Sequence, residues 1–213
     1  MYNNDALKCL TGEVRLSYAN LVTPKPPQNG VGDPKYSVTL LIPKADYNTK
    51  NDLESAFNAA YAEGVKTKWN GRRPQVSPLI HDGDGVRSDG TPYGDECKGH
   101  WVITCSSKQK PQVVGISNIR CELDPNDIYS GMYARVTVRF FAYDTAGRKG
   151  VGCGLGNVLK TREGEAFSGR ASAESDFAGL EQAAPPAQAP QQNESNSGWG
   201  SAAVYNPLTG QWS

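Results

Sequence analysis

Met132 to Tyr143 reads MYARVTVRFFAY, and its alternation decides the class of fold. An extended chain sends successive side chains to opposite sides. Met132, Ala134, Val136, Val138, Phe140 and Ala142 fall on one side, which a half-buried strand turns toward its core. Tyr133, Arg135, Thr137, Arg139, Phe141 and Tyr143 fall on the other, so that two guanidinium groups are interleaved with three aromatic rings. Single-stranded nucleic acid suits such a row: bases stack on aromatic faces at roughly 1–3 kcal/mol each, while arginine neutralises the phosphates between them. The plainer use of the same rings is packing under a helix or against a second subunit.

The period of two runs through much of the chain. Val14 and Leu16 face inward along Glu13 to Tyr18, and Tyr36, Val38, Leu40 and Ile42 share one side of Lys35 to Ile42. Trp101 to Cys105 and Val113 to Cys121 add short extended runs. One segment differs: Leu53, Ala56, Phe57, Ala60, Tyr61 and Val65 recur at i, i+3, i+4 spacing and predict an amphipathic helix. Thr49 followed by Asp52 would open it in the manner of a capping box. After Lys149 the chain reads GVGCGLGNVLK, with Gly150, Gly152, Gly154 and Gly156 at every second position. That spacing lets a strand bend sharply while Val151, Cys153 and Leu155 face a core, and such bending closes small barrels. Antiparallel strands, one long helix and long loops predict a mainly β, OB-like antiparallel β-barrel rather than a sandwich.

With 213 residues and 38% hydrophobic content, the chain has material for one sizeable core and an appendage. Its five cysteines, Cys9, Cys97, Cys105, Cys121 and Cys153, are odd in number and scattered, which fits reduced thiols rather than a disulfide framework. Zinc needs close ligand pairs, and Cys97, His100 and Cys105 match no common spacing, so neither a metal nor another cofactor is expected. No run of about 18 apolar residues occurs, and the opening MYNNDALKCLTGEV carries no signal-peptide pattern. A soluble, cytoplasmic protein without membrane contact is expected.

The formal charge of zero divides unevenly. All 22 lysines and arginines lie at or before Arg170 among 18 acids, whereas the last 43 residues hold four acids and no base, so the body is +4 and the remainder −4. A basic body favours a polyanion, and an acidic tail would compete for the same groove or attract a basic partner. From Gln182 the sequence is rich in Pro, Gln, Ser, Asn and Gly, with too few apolar anchors to offset the entropy of ordering. Residues 1–178 are therefore expected to form the OB-like domain and 179–213 a disordered tail, in which Trp199, Tyr205 and Trp212 are candidate attachment points.

Further clusters combine cations with aromatics. Lys66, Lys68, Trp69, Arg72 and Arg73 (KTKWNGRRP) come where the helix gives way to a turn marked by Asn70-Gly71 and Pro74, although the Trp69 ring taken alone reads rather as a cap on the core. Lys108 and Lys110 (SSKQKPQ) are placed on a hairpin connection, with Trp101 upstream. Tyr18, Lys25, Lys35 and Tyr36 flank a Pro-rich loop, with Tyr36 read as core because it shares its side with Val38. The expected DNA contacts are thus Arg135 and Arg139 to phosphates and Tyr133, Phe141 and Tyr143 to bases. Lys66, Lys68, Trp69, Arg72, Arg73, Trp101, Lys108 and Lys110 extend the path.

Enzymatic readings find less support. His81 and His100 are the only histidines and stand in no triad or H-E-x-x-H context. The stretch HDGDGVRSDGTPYGDE holds Asp82, Asp84, Asp89, Asp95 and Glu96, which could bind Mg²⁺ in a nuclease or junction-processing enzyme. Asp-Gly and Gly-Asp pairs also make turns for backbone reasons, so a flexible loop is the expectation. The glycines of 150–156 depart from G-x-G-x-x-G, and no helical pattern follows them. A structural or assembly protein with an incidental barrel is the third alternative.

In order along the chain, GEVRLSYANLVTP, PKYSVTLLIPK, KWNGRRP, HDGDG, SSKQKPQVV, DIYSGMYARVTVRFFAYD, GVGCGLGNVLK and RASAESDF resemble a family of tailed-phage single-stranded DNA-binding proteins. The resemblance covers roughly residues 10–178. It implies an OB-like fold that coats single-stranded DNA, largely without sequence preference, in phage replication and recombination within the host cytoplasm, without catalysis. Members of the family often recruit replication proteins through a strongly acidic tail. This tail is only mildly acidic and ends in Gln211, Trp212 and Ser213. A homodimer is the competing use of either aromatic surface.

Overall fold

The inward row from Met132 to Ala142 is buried along its whole length in the computed structural model of the chain, which describes residues 4–27, 30, 32–145, 147–167, 205–206 and 211–212. This row lies on β8 (Tyr133–Thr145), the longest partner of β9 (Arg148–Arg162). Around the same core stand β2 (Val14–Lys25), β3 (Lys35–Pro43) and β5 (His100–Ser107). Pairing runs β8 to β2, β2 to β3, β3 to β5, β5 to β9 and β9 back to β8, so five strands close into a ring in OB-like fashion. Every seam of the ring is antiparallel except β5–β9, which is parallel and meets in register at Ser106 and Gly154. Val14, Leu16, Val38, Leu40, Ile103, Val136 and Phe140 fill the interior. Each such side chain contributes roughly 1.5–3 kcal/mol by leaving water.

Shorter elements attach to the ring. β1 (Lys8–Leu10) pairs with the outer edge of β8, and β4 (His81–Asp82) pairs with β5. β6 (Val113–Gly115) runs parallel to β9 and carries β7 (Asn118–Glu122) as a ribbon whose five residues are all exposed. The segment with Lys108 and Lys110 is therefore not the hairpin connection expected. β5 and β6 occupy successive stretches of one edge of β9, and residues 108–112 are an excursion between them. Pro111 lacks an N–H, while the Gln112 carbonyl still accepts from Val158 N at 2.9 Å, so the edge resumes at once.

The helix α1 (Tyr47–Thr67) lies between β3 and β4 and covers one end of the ring. It begins earlier than the capping-box reading: Asp46 is the N-cap and accepts from Thr49 N at 3.0 Å. The Thr49 hydroxyl is used elsewhere, accepting from Gly12 N at 2.7 Å. Leu53, Ala56 and Ala60 are buried, and Phe57 meets Phe140 edge-on at 6.3 Å. The helix stops where Asn70 and Gly71 adopt φ of +50° and +79°, and its last turn folds Trp69 back against Gly64, whose missing side chain makes the room.

The alternating glycines of β9 have a local explanation. A Cβ on Gly152 would stand 2.6 Å from the Phe141 ring, and one on Gly150 2.6 Å from Cζ of Tyr143. The rings of β8 lie over bare backbone of β9, while Val151, Cys153 and Leu155 face the core as expected. A second unit, Ala171–Ser213, contains β10 (Tyr205–Asn206) paired antiparallel with β11 (Gln211–Trp212). The tail expectation for 179–213 otherwise lies outside the described residues. Among the described residues no helix is long and apolar enough to cross a membrane.

Candidate nucleic-acid interface

The outward side of β2, β3 and β5 forms the floor of a groove of about 610 Å³. A bulge creates its most exposed ring. The β2–β3 register shifts between Ser17 and Asn20, and Tyr18 takes φ of +48°, which breaks the alternation and leaves Tyr18 60% exposed instead of inward. Beside it the floor is small and hydroxylated: Ser37 accepts from Asn20 Nδ2 at 3.2 Å, and Thr39 and Thr104 share a hydrogen bond of 2.9 Å. Below them Leu41, Cys97 and Val102 make a small second core with Tyr93 and Phe167 against it.

The walls carry the charge. At the upper end Lys25 and Lys35 are direct cross-strand partners, and like charges so placed repel in the absence of an anion. Lys108 lines the adjoining hollow with Lys25, Lys35 and Asp33, and is ion-paired with Asp33. Three cations thus meet one carboxylate, whose pKa Lys108 lowers. At the lower end Arg87 lies 5.3 Å from the centre of the Tyr93 ring. Both come from the acidic stretch, which is pinned rather than flexible. Arg87 N donates to Thr91 O at 2.7 Å, and Lys44 Nζ lies 2.6 Å from both Asp82 and Asp84. Asp84 also accepts from Gly99 N at 2.8 Å. Hydrogen bonds from Lys44 hold both carboxyls below the usual aspartate range and push the Lys44 ammonium up. Among the described residues no group of three or more His, Cys, Asp and Glu stands ready for a metal ion.

The expected contact residues scatter. Trp69 is 1% exposed; its ring packs on Tyr61 at 5.3 Å and its N–H donates to Tyr143 O at 3.0 Å, so it offers no face to a base. Trp101 shares the inward side of β5 with Ile103 and Cys105, and Lys44 and Lys50 cover its ring at 5.1 and 4.9 Å. Both indoles stand in the expected DNA path because cations flank them in the sequence; the closing of the ring end uses them instead, as the alternative reading of Trp69 as a cap on the core has it. Tyr133 lies between Arg162 at 3.3 Å and Arg15 at 5.6 Å. Arg135 donates to Thr11 O at 3.1 Å, Arg139 is paired with Asp5, and Lys110 with Glu122. Phe141 and Tyr143 remain 47% and 36% exposed, and Lys66 in the last turn of α1 and Lys68, Arg72 and Arg73 just beyond it are exposed. Only Lys108 of the expected set lines the groove hollows. Arg87 and Tyr93 carry no sequence signal, since loop residues follow no period; Tyr18, Lys25 and Lys35, one of the clusters flanking the Pro-rich loop, do line the groove, although alternation does not foresee the bulge that turns Tyr18 outward.

Known proteins resemble this chain over most of its length. The profile of a family described as "Enterobacter phage Enc34, ssDNA-binding protein" matches residues 7–187. A relative named putative protein p50, from Acyrthosiphon pisum secondary endosymbiont phage 1, is 30% identical over 173 residues, covering 76% of this chain and 88% of that protein. Among solved structures, the single-stranded DNA-binding protein from bacteriophage Enc34 in complex with ssDNA aligns with a TM-score of 0.64 and 28% identity, over 76% of this chain and 90% of that one. The single-stranded DNA-binding protein gp2.5 of bacteriophage T7 aligns at 0.50 and 16% identity, over 77% of this chain and 96% of that one, a likeness of fold alone.

Proposed function

Because the chain belongs to the Enterobacter phage Enc34 ssDNA-binding protein family, we propose that it binds and coats single-stranded DNA during phage replication and recombination, and that the groove on β2, β3 and β5 is where the strand lies. Tyr18 stacks a base, Lys25, Lys35 and Arg87, the last lying over the Tyr93 ring, neutralise phosphates, and the hydroxyl floor lets the strand approach the sheet closely. In OB-type rings the face of the second and third strands is a common oligonucleotide surface, and β3 and β5 hold those positions here. The observation that carries the placement is the pairing of Lys25 with Lys35 across the ladder, which with Lys108 brings three cations to one carboxylate, Asp33, and leaves the hollow with an excess of positive charge. A single strand supplies phosphates in series and unpaired base faces, whereas a duplex hides its bases.

The protein acts without catalysis, in the host cytoplasm. Asp82 and Asp84, which a nuclease reading would use, are already committed to Lys44 and Gly99. The test is anisotropy of a labelled oligo-dT of about 30 nucleotides, longer than the roughly 4–16 that one OB fold occupies. It is run at two salt concentrations, with duplex as competitor and with Mg²⁺ present to reveal any cleavage. Binding that falls with a log–log slope of about −0.7 per phosphate neutralised, and that single strands compete for far better than duplex, is the expected result. Salt-independent binding, or cleavage lost on changing Asp82 and Asp84, would overturn the reading.

A further inference from the structure

On the opposite arc of the ring, the outer side of β8 carries Phe141 and Tyr143, and these are the rings of that row with substantial exposure. They differ from Tyr133, whose faces are taken by Arg15 and Arg162. The bare β9 backbone at Gly150 and Gly152 supports them from beneath, so each ring lies along the sheet and turns its remaining face outward. Beside them runs the turn after α1. Trp69 ties that turn to the Tyr143 carbonyl at 3.0 Å, and Gly64 approaches Ala142 so closely that a Cβ would stand 2.5 Å from it. From Gly64 to Ser77 the sequence GVKTKWNGRRPQVS holds four cations and no carboxylate, and Lys66, Lys68, Arg72 and Arg73 are all exposed. An apolar patch for protein would not need this uncompensated charge next to its rings. A strand of stacked bases with phosphates along one edge needs both.

We propose that Phe141, Tyr143 and the basic turn Lys66–Arg73 form a second single-stranded DNA surface, separate from the groove. This inference rests on the chain being a single-strand binder, and it adds that one protein holds two segments of strand at once, on opposite sides of the ring. Lys66, Arg72 and Arg73 take phosphates while Phe141 and Tyr143 each stack a base. The surface is more open than the groove, so it is the weaker of the two and the first to be lost as salt rises.

The test is calorimetric titration of the full chain with dT of about 8 nucleotides, within the range of one OB-type site, at low salt. Two oligonucleotides bind per protein chain. Reversing charge in the exposed turn with Arg72→Glu and Arg73→Glu, or removing a ring with Phe141→Ala, weakens the second event at least tenfold and leaves the first unchanged. Tyr18→Ala with Lys35→Glu removes the first and leaves the second. A stoichiometry of one, lost with the groove variant and indifferent to the turn variants, would overturn this inference and support the groove. No binding by the unaltered protein would overturn both. Turn variants that change the sedimentation coefficient without changing stoichiometry would also overturn it, identifying the surface as an interface between copies of the chain.

Discussion

The indole N–H of Trp69 donates to the backbone carbonyl of Tyr143, 74 residues away, at 3.0 Å. This bond joins the end of α1 to the end of β8, and the ring that makes it is among the largest fully buried side chains. Trp69→Ala is expected to cost about 3–5 kcal/mol, as truncation of large buried rings does. Trp69→Phe keeps most of the packing and loses the hydrogen bond, at roughly 1–3 kcal/mol for the unpaired carbonyl. Urea denaturation measures both. The folded Trp69→Phe protein should bind a short oligonucleotide in the groove as the parent does, because the ring takes no part there.

Lys35→Glu gives effects of opposite sign. Replacing one of two opposed ammonium groups removes a repulsion and installs an attraction across β2 and β3, so thermal stability of the free protein should hold or rise by a few tenths of a kcal/mol. Affinity for single strands should fall, with the salt slope shallower by about 0.7 for each phosphate no longer neutralised. A variant that is both less stable and unchanged in binding would remove Lys35 from the site.

Tyr18→Ala should weaken oligo-dT binding by roughly 1–3 kcal/mol, the usual yield of one aromatic–base stack. The side chain is mostly exposed, so melting temperature should change little. Tyr18→Phe should restore affinity, because the face of the ring and not its hydroxyl meets the base.

The clasp of Lys44 on Asp82 and Asp84 fixes a direction with pH. Both carboxyls titrate below their ordinary range when folded, so their contribution to stability is present above the unfolded aspartate pKa and is lost as pH falls through the lower folded values. Lys44→Met should be less stable than the parent at neutral pH, and the difference should shrink toward zero in acid. A gap that persisted in acid would mean that packing of Lys44 on Trp101, and not the charge, holds the segment.

Thiol chemistry reports on the ring. Cys9, Cys97, Cys105 and Cys153 are buried and Cys121 is exposed on β7. Burial pushes the Cys9 thiol up to about 11 and Cys97 upward as well. Brief alkylation of the native protein near neutral pH should therefore place one label, on Cys121, with the others reacting only in denaturant. Mass spectrometry counts them.

What sequence made visible was whatever repeats with a fixed period. The inward row of β8, the Val38–Ile42 face and the buried stripe of α1 all stand where alternation or 3.6-residue spacing puts them. Tyr18 was legible as a ring near Lys25 and Lys35 but not as an outward one, because one bulge inverts the parity of β2 and nothing in SYANL announces a positive φ. Arg87 and Tyr93 reach the groove from a loop held by Lys44, some 40 residues earlier in the chain, a pairing no local pattern encodes. The aromatic residues misled in a consistent way. Trp69, Trp101 and Tyr133 have the same composition of flanking cations as a base-stacking platform, yet Trp101 and Tyr133 have cations stacked on the rings themselves, and Trp69 is buried against Tyr61. A guanidinium beside an aromatic reads identically whether the two serve a ligand or each other.

The parallel pairing at Ser106 and Gly154 makes the ring a buckle rather than a hoop. Antiparallel ladders hold every other seam, while this one fastens at a single register pair and then yields the edge of β9 to β6. Thr104 and Val102, two and four residues before the fastening, are part of the groove floor. A strand of DNA lying there presses on the side of the molecule where the sheet has least backbone to hold it, so loading and unfastening are mechanically joined. Amide protons flanking Ser106 should be the first of the ring to exchange in the free protein and the ones most slowed when the groove is filled.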